Sequence, residues 1–286
     1  NKRVHMKNGE ILNYLKNVLD NIPENWLTDT THRLNLYDEK LAKVQFLEHF
    51  EALINDSNYE RSALDNLPTA FDYVRLGHPL SCLLEWSIGR RYNLKAENII
   101  SFSSKTIPVM AILRENLLNN KNTQINYIGE VPEFLEKEIL EKVYRYTFEL
   151  NKINSIDEIP TFKGSSVFIS NQTKISDINL INSVDFYVSW CAELGSILLV
   201  NGEANESYIT NIQHVRRRET IAMTPANCLA ALNSLIYDTS LSTIKVHNSI
   251  FIKQVNDSIL DITNTKIQPQ VGSSGLSVQY GIMMGL

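Results

Sequence analysis

The sequence predicts an α/β protein with a largely parallel, buried sheet behind an N-terminal helical arm. Three observations carry that prediction. From about residue 98 onward, short β-branched and apolar runs alternate with helical stretches, the pattern of strands joined by crossover helices. Before residue 68 only helix-type spacing occurs. The composition, 286 residues with 43% hydrophobic and 21% charged side chains, is that of an ordinary globular chain able to bury a sizeable core, which excludes a disordered, collagen-like or disulfide-knotted protein.

Taken in order, Ile11, Leu12, Leu15, Val18 and Leu19 share one helical face before Pro23 ends the pattern. A second helix covers residues 40–54, with Leu41, Val44, Phe46, Leu47 and Phe50 inward. After the breaker Leu67-Pro68, residues 80–92 form a third, carrying Leu83, Leu84, Trp86 and Ile88. Strands are expected at residues 98–103, 124–128, 166–170, 185–189 and 196–201. Between them fall a helix over residues 108–119 and a long charged amphipathic helix over residues 132–150. A closing pair of helices spans residues 224–237 and 246–260. No internal repeat, low-complexity stretch or Pro-, Gly- or Ser-rich linker marks a boundary.

Charge and motif content narrow the function classes. With 27 basic and 32 acidic side chains the net charge is −5, and the one basic cluster, Arg216-Arg217-Arg218, is too short for nucleic acid to be the main partner. Cys82, Cys191 and Cys228 are odd in number and contain no CxxC pair, so reduced thiols and a cytoplasmic location are expected. No apolar run approaches the roughly 18 residues that cross a bilayer, and the basic N-terminus leads into an amphipathic pattern, unlike a signal peptide. The six histidines lack ligand spacing, so no metal site is expected. GxxxxGK[ST], GxGxxG, HExxH and GxSxG are all absent.

Several strand ends do carry chemistry-bearing side chains. Ser103-Ser104-Lys105-Thr106 leaves a strand and enters a helix, where hydroxyls and backbone N–H groups can hold a phosphate; the same run also reads as an ordinary helix cap. Tyr73 and Arg75, in Tyr73-Val74-Arg75-Leu76-Gly77-His78-Pro79, suit a phosphate too, or a packed phenol and a surface ion pair. The segment from Asp185 through Ser189, Trp190, Cys191, Ala192, Glu193 and Leu194 to Gly195 runs from a strand into a tight loop.

In that order the segments resemble the pyridoxal-phosphate enzymes of fold type I, in the branch that handles cysteine, cystathionine and methionine. Tyr73, Arg75, His78 and Pro79 fall on the family's Tyr-x-Arg-x-x-Asn-Pro, with His for Asn. Ser103-Ser104-Lys105-Thr106 partly matches its Ser-Ser-Gly-Met, with Lys105 for Gly. Ser170-Asn171-Gln172 falls on the family's Asp-Asn-Thr, whose Asp pairs with the pyridine nitrogen. Ser189 to Gly195 falls on Ser-x-Thr-Lys-x-Leu-Gly, with Ala192 at the Schiff-base lysine. The helical stretch opened by Met223-Thr224-Pro225 resembles the family's helix after the cofactor loop.

The resemblance implies a three-layer αβα sandwich resembling the large domain of these transferases, divided as residues 1–67 for the arm, 68–262 for the α/β domain and 263–286 for a C-terminal remnant or the start of a small domain. It also implies pyridoxal phosphate as cofactor, with Tyr73, Arg75, Ser103, Ser104, Ser170 and Ser189 as cofactor-binding positions. A small amino-acid-like ligand and a dimer, with itself or with a related subunit, complete the expectation. At 286 residues the chain is short for that whole architecture, so either a truncated copy or one that has shed parts is expected.

Three functions follow. One is a lyase or transferase acting on a small amino acid whose lysine has been replaced by Ala192, naturally or by engineering. Another is a pseudoenzyme subunit partnering a related active chain. A third sets the resemblance aside and makes Cys191 a nucleophile with His214 or His78 as base. Lys105, Lys163 and Lys174 are candidates for a displaced amine, Lys174 first because it lies just past the strand end at Ser170.

Overall fold

A computed structural model of the chain describes residues 8–28, 39–71, 75–191, 193–241, 248–272 and 274–285. Among the described residues six strands form one sheet in the order β1-β6-β5-β4-β2-β3. They are β1 (Ile99–Phe102), β2 (Thr123–Tyr127), β3 (Glu149–Lys152), β4 (Ser165–Asn171), β5 (Phe186–Trp190) and β6 (Ser196–Val200). The β2–β3, β2–β4 and β4–β5 pairs are parallel, whereas β6 runs antiparallel to both of its neighbours, β5 and β1. Two reversals restore direction, so β1 points the same way as β5, β4 and β2.

Period-two alternation sorts the strand side chains into two cores. Val167 and Ile169 of β4 and Leu198 and Val200 of β6 enter one; Phe168, Ile197 and Leu199 enter the other. The first core is covered by α6 (Ile107–Leu118) and α8 (Ser207–Glu219), the second by α5 (Pro79–Tyr92) and α9 (Pro225–Tyr237). This is a three-layer αβα sandwich. On the α5–α9 side, α1 (Asn8–Asp20), α2 (Asn25–Thr28) and α3 (Glu39–Asn55) pack outside, with the short α4 (Arg61–Asp65) following. Leu15, Val18, Phe46 and Phe50 of this arm join the same core as Leu83 and Leu84.

One expected element is replaced. Residues 132–150 do not form a single helix: α7 (Lys137–Val143) is two turns long, and Glu149–Lys152 is the edge strand β3 beside β2. Arg145 adopts φ 61°, a left-handed conformation that ends the helix, and the Tyr146-Thr147-Phe148 run that follows favours extended backbone. Two helices close the chain, α10 (Asn248–Thr263) and α11 (Gly275–Gly285); the sequence reading places the first, apart from residues 246–247, which lie outside the described residues, and misses the second.

The free side of β1 is closed by charged side chains. Glu85 of α5 accepts the Ser101 backbone N–H at 2.8 Å and the Ser101 hydroxyl at 2.7 Å. Arg216 of α8 donates to the Ser101 carbonyl and to Glu85, each at 3.0 Å, and Lys43 of α3 donates to the Ile99 carbonyl at 3.2 Å and to Glu85 at 2.6 Å. An edge strand otherwise leaves its outward N–H and C=O groups unpaired. Burial penalises the Glu85 charge, but Lys43 and Arg216 outweigh that penalty and hold its carboxyl below the usual range.

Candidate functional site

The ends of β1, β4 and β5 meet on one edge of the sheet, and the loops leaving them carry most of the residues that the sequence singles out. Ser103 and Ser104 leave β1, Ser170 is the last residue but one of β4, and Ser189 lies in β5, paired in register with Ser170. Arg75 reaches the same neighbourhood from the other side of the segment 220–222. Its carbonyl accepts the Ala222 N–H at 2.8 Å, while the Ser103 N–H donates to the Ile221 carbonyl at 3.2 Å. Tyr73 and Ala192 lie outside the described residues.

The hydroxyls of Ser103, Ser104 and Ser170 are engaged within the chain. Ser103 Oγ lies 3.3 Å from Thr220 Oγ1 and donates to the Ile221 carbonyl at 3.2 Å. Ser104 Oγ accepts the backbone N–H groups of Thr106 and Ile107, both at 3.2 Å, and so caps α6 in place of Thr106, whose own side chain makes no cap bond. Ser170 Oγ accepts a 2.7 Å hydrogen bond from Gln172 Nε2.

Contacts between the β1–α6 loop and the β5–β6 loop draw the strand ends together. The Trp190 indole N–H donates to the Lys105 carbonyl at 3.1 Å, and the indole packs on Phe134 with ring centroids 5.8 Å apart. Ser196 Oγ donates to the Ser104 carbonyl at 2.6 Å. The Lys105 ammonium lies 3.9 Å from the Glu193 carboxylate. Gly195 sits at φ +126°, and a Cβ there would lie 2.1 Å from the Phe102 carbonyl oxygen, so the loop can approach β1 only as glycine.

Cys191 is fully buried, and its thiol donates to the Ser189 carbonyl across 3.7 Å. Burial pushes its pKa up to about 12 against the opposing pull of Lys105, and a protonated, enclosed thiol is a packing group rather than an attacking one. His78 is equally committed. Its Nδ1 accepts the Ser81 N–H at 3.2 Å as the N-cap of α5, and its Nε2 lies 2.7 Å from the Met223 carbonyl. His214 is half-buried on α8, Lys163 is exposed, and Lys174 points to Asp238 at 3.3 Å.

Trp190, Gln172, Phe134 and the Lys105–Glu193 pair carry the geometry of this edge. Of their contacts nothing in the sequence gave notice, since Trp190 and Lys105 are 85 positions apart. A cavity of about 170 Å3 lies elsewhere, between Trp26, Phe46, Leu64, Phe71 and His78. Among the described residues no helix is long and apolar enough to cross a membrane.

No family model matches the sequence, and no curated protein does. Solved structures do match. Cystathionine gamma-lyase from yeast aligns at TM-score 0.50 and 11% identity over 92% of this chain and 70% of its own. The metB protein of Corynebacterium glutamicum aligns at TM-score 0.37 and 9% identity over 70% of this chain, which spans only 60% of that structure. A candidate O-acetylhomoserine (thiol)-lyase, metY, from Campylobacter jejuni, whose structure contains N'-pyridoxyl-lysine-5'-monophosphate, aligns at TM-score 0.41 and 14% identity over 91% of this chain and 76% of its own. The yeast likeness establishes the fold: this chain has the fold type I architecture that its motif order implies.

Proposed function

We propose that this chain is a non-catalytic subunit built on the fold of a cystathionine- or homoserine-type lyase, acting through binding rather than turnover. The observation that carries this reading is the Trp190 bridge. Its indole runs from the end of β5 to the Lys105 carbonyl and packs against Phe134 at an interplanar angle of 54°, joining strand ends that a ligand-binding site of this fold class keeps open.

Pyridoxal phosphate, the cofactor implied by the fold, asks for an amine, an acidic partner for its ring nitrogen and a phosphate cradle. The residues at the matching positions do not fit it as a covalently held group. Residue 192 is alanine and has no amine. Ser170 is no carboxylate, and its hydroxyl already accepts from Gln172. Ser104 caps α6, and Ser103 is tied to the segment 220–222. No step of cofactor chemistry is therefore assigned to these residues. A cytoplasmic place accords with three buried, unpaired thiols, Cys82, Cys191 and Cys228.

One observation favours a second reading, a pyridoxal-phosphate-dependent lyase or transferase of small amino acids. The Lys105 amine reaches Glu193, directly after position 192, from the β1–α6 loop. A single experiment separates the two: the chain is incubated with pyridoxal phosphate, dialysed, scanned for retained near-visible absorbance and assayed with cysteine, cystathionine and O-acetylhomoserine. The non-catalytic reading expects no retained band and no turnover. A retained band lost in Lys105→Arg, together with turnover, establishes the second reading instead.

A further inference from the structure

The cavity of about 170 Å3 lies apart from the strand ends, where the arm meets the N-terminus of α5. Trp26 reaches it from α2, Phe46 from α3, Leu64 and Asp65 from the end of α4, and Phe71 and His78 from the chain that enters α5. Roughly 150 Å3 suffices for a molecule the size of benzene, so this space admits a small organic ligand.

Its lining indicates which one. Trp26, Phe46 and Phe71 are buried aromatic walls, and Trp26 meets Phe46 edge to face with ring centroids 6.0 Å apart. Asp65 stands exposed at the mouth, without an ion-pair partner among the described residues. No lysine or arginine lines the space among the described residues, and His78, its pKa lowered to about 4 by burial, carries no charge at neutral pH. The indoles of Trp86 and Trp190 donate to Glu51 at 2.8 Å and to the Lys105 carbonyl at 3.1 Å. That of Trp26, in a residue only 6% exposed, has no acceptor among the described residues, although a buried indole normally finds one.

We infer that this cavity binds a small amino alcohol of the choline or ethanolamine kind, its ammonium toward Asp65 and the aromatic rings, its hydroxyl oxygen accepting from Trp26. Aromatic walls without a cation, beside an unpaired carboxylate, favour a positively charged group. The idle Trp26 N–H and the positive end of α5 favour an oxygen acceptor on the same molecule. A ligand carboxylate would meet Asp65 with no lysine or arginine to offset the repulsion, so a free amino acid fits less well. This inference is independent of the reading of the strand-end site, which it neither uses nor alters.

Titration calorimetry of the full chain with choline tests it. The wild-type protein is expected to bind choline in the millimolar range, as a ligand of that size allows. The uncharged dimethylbutanol in which carbon replaces the nitrogen should bind about tenfold more weakly. Asp65→Asn, at an exposed position, should keep the wild-type circular dichroism and weaken choline about fivefold. Trp26→Phe keeps an aromatic ring and removes the N–H, so it should weaken choline about fivefold more than it weakens tetramethylammonium, which has no oxygen. If Trp26→Phe fails to fold, Asp65→Asn and the uncharged isostere decide, and both must weaken binding. No binding of choline to the wild-type chain would leave the cavity to water and overturn the proposal. Equal affinities for choline and dimethylbutanol, or a choline affinity indifferent to both substitutions, would overturn it as well.

Discussion

His78 closes the N-terminus of α5 while its other ring nitrogen holds the Met223 carbonyl, 145 residues away. Both roles use the neutral imidazole. Burial lowers its pKa from 6.5 to about 4, against the opposing hydrogen bond to Met223. Between those values the unfolded chain binds the proton more readily than the folded one, so this contribution is full above pH 6.5 and is lost as pH falls toward 4. The loss is on the order of 3 kcal/mol. His78→Asn, which keeps a good capping side chain, should fold and show a flatter decline in urea stability between pH 6.5 and 4. Equal slopes for the two proteins would show that His78 is not the group responsible. From sequence alone His78 reads as a mismatch within a motif or as a base for Cys191; its capping role needs Ser81 and its anchoring needs Met223, and only the second partner is beyond the reach of local reading.

At the scale of elements, the five expected strands occur within two residues of their expected ends; in β1, β4, β5 and β6 two buried faces require apolar residues at successive positions, whereas β2 buries Thr123, Gln124 and Asn126. The stretch 132–150 misleads because its charges and apolar residues keep helical spacing until Tyr144, and no proline or glycine marks the turn at Arg145. The candidate loops are legible as loops. Their mutual contacts are not, since they depend on how β1 and β5 are placed around β6. The β5–β6 turn shows how closely these loops approach one another. Gly195→Ala should destabilise the chain by at least about 2 kcal/mol, through both the positive φ and the clash with the Phe102 carbonyl. Gly129→Ala, also at positive φ but with open space around its Cβ, should cost less. Urea midpoints of the two variants provide the comparison, and equal midpoints would remove the Phe102 contact as the cause.

Across the whole molecule, Glu85 ties three layers together: α5 carries it, Lys43 reaches it from the arm, and Arg216 reaches it from α8. The three groups are almost wholly buried and sum to one positive charge. Glu85→Gln removes the only carboxylate of the trio and strands two cations. It should cost about 3–5 kcal/mol in chemical denaturation, far beyond an exposed pair such as Lys253–Asp257, whose removal should change stability by less than about 1 kcal/mol. A Glu85→Gln protein of wild-type stability would mean that the carboxyl is not charged in the fold.

The placement of β1 also governs the order in which the molecule can be completed. Its residue Ile99 pairs with Leu199, one hundred positions later, and the closure of its opposite side by Lys43 and Glu85 is completed only by Arg216. A growing chain leaving the ribosome therefore carries this strand unpaired on its β6 side, and on the other side held only by Lys43 and Glu85, until β6 and α8 have emerged, while β2, β3, β4 and β5 can already assemble behind it. Nascent chains arrested between residues 190 and 216 should accordingly be the ones that most need chaperone protection.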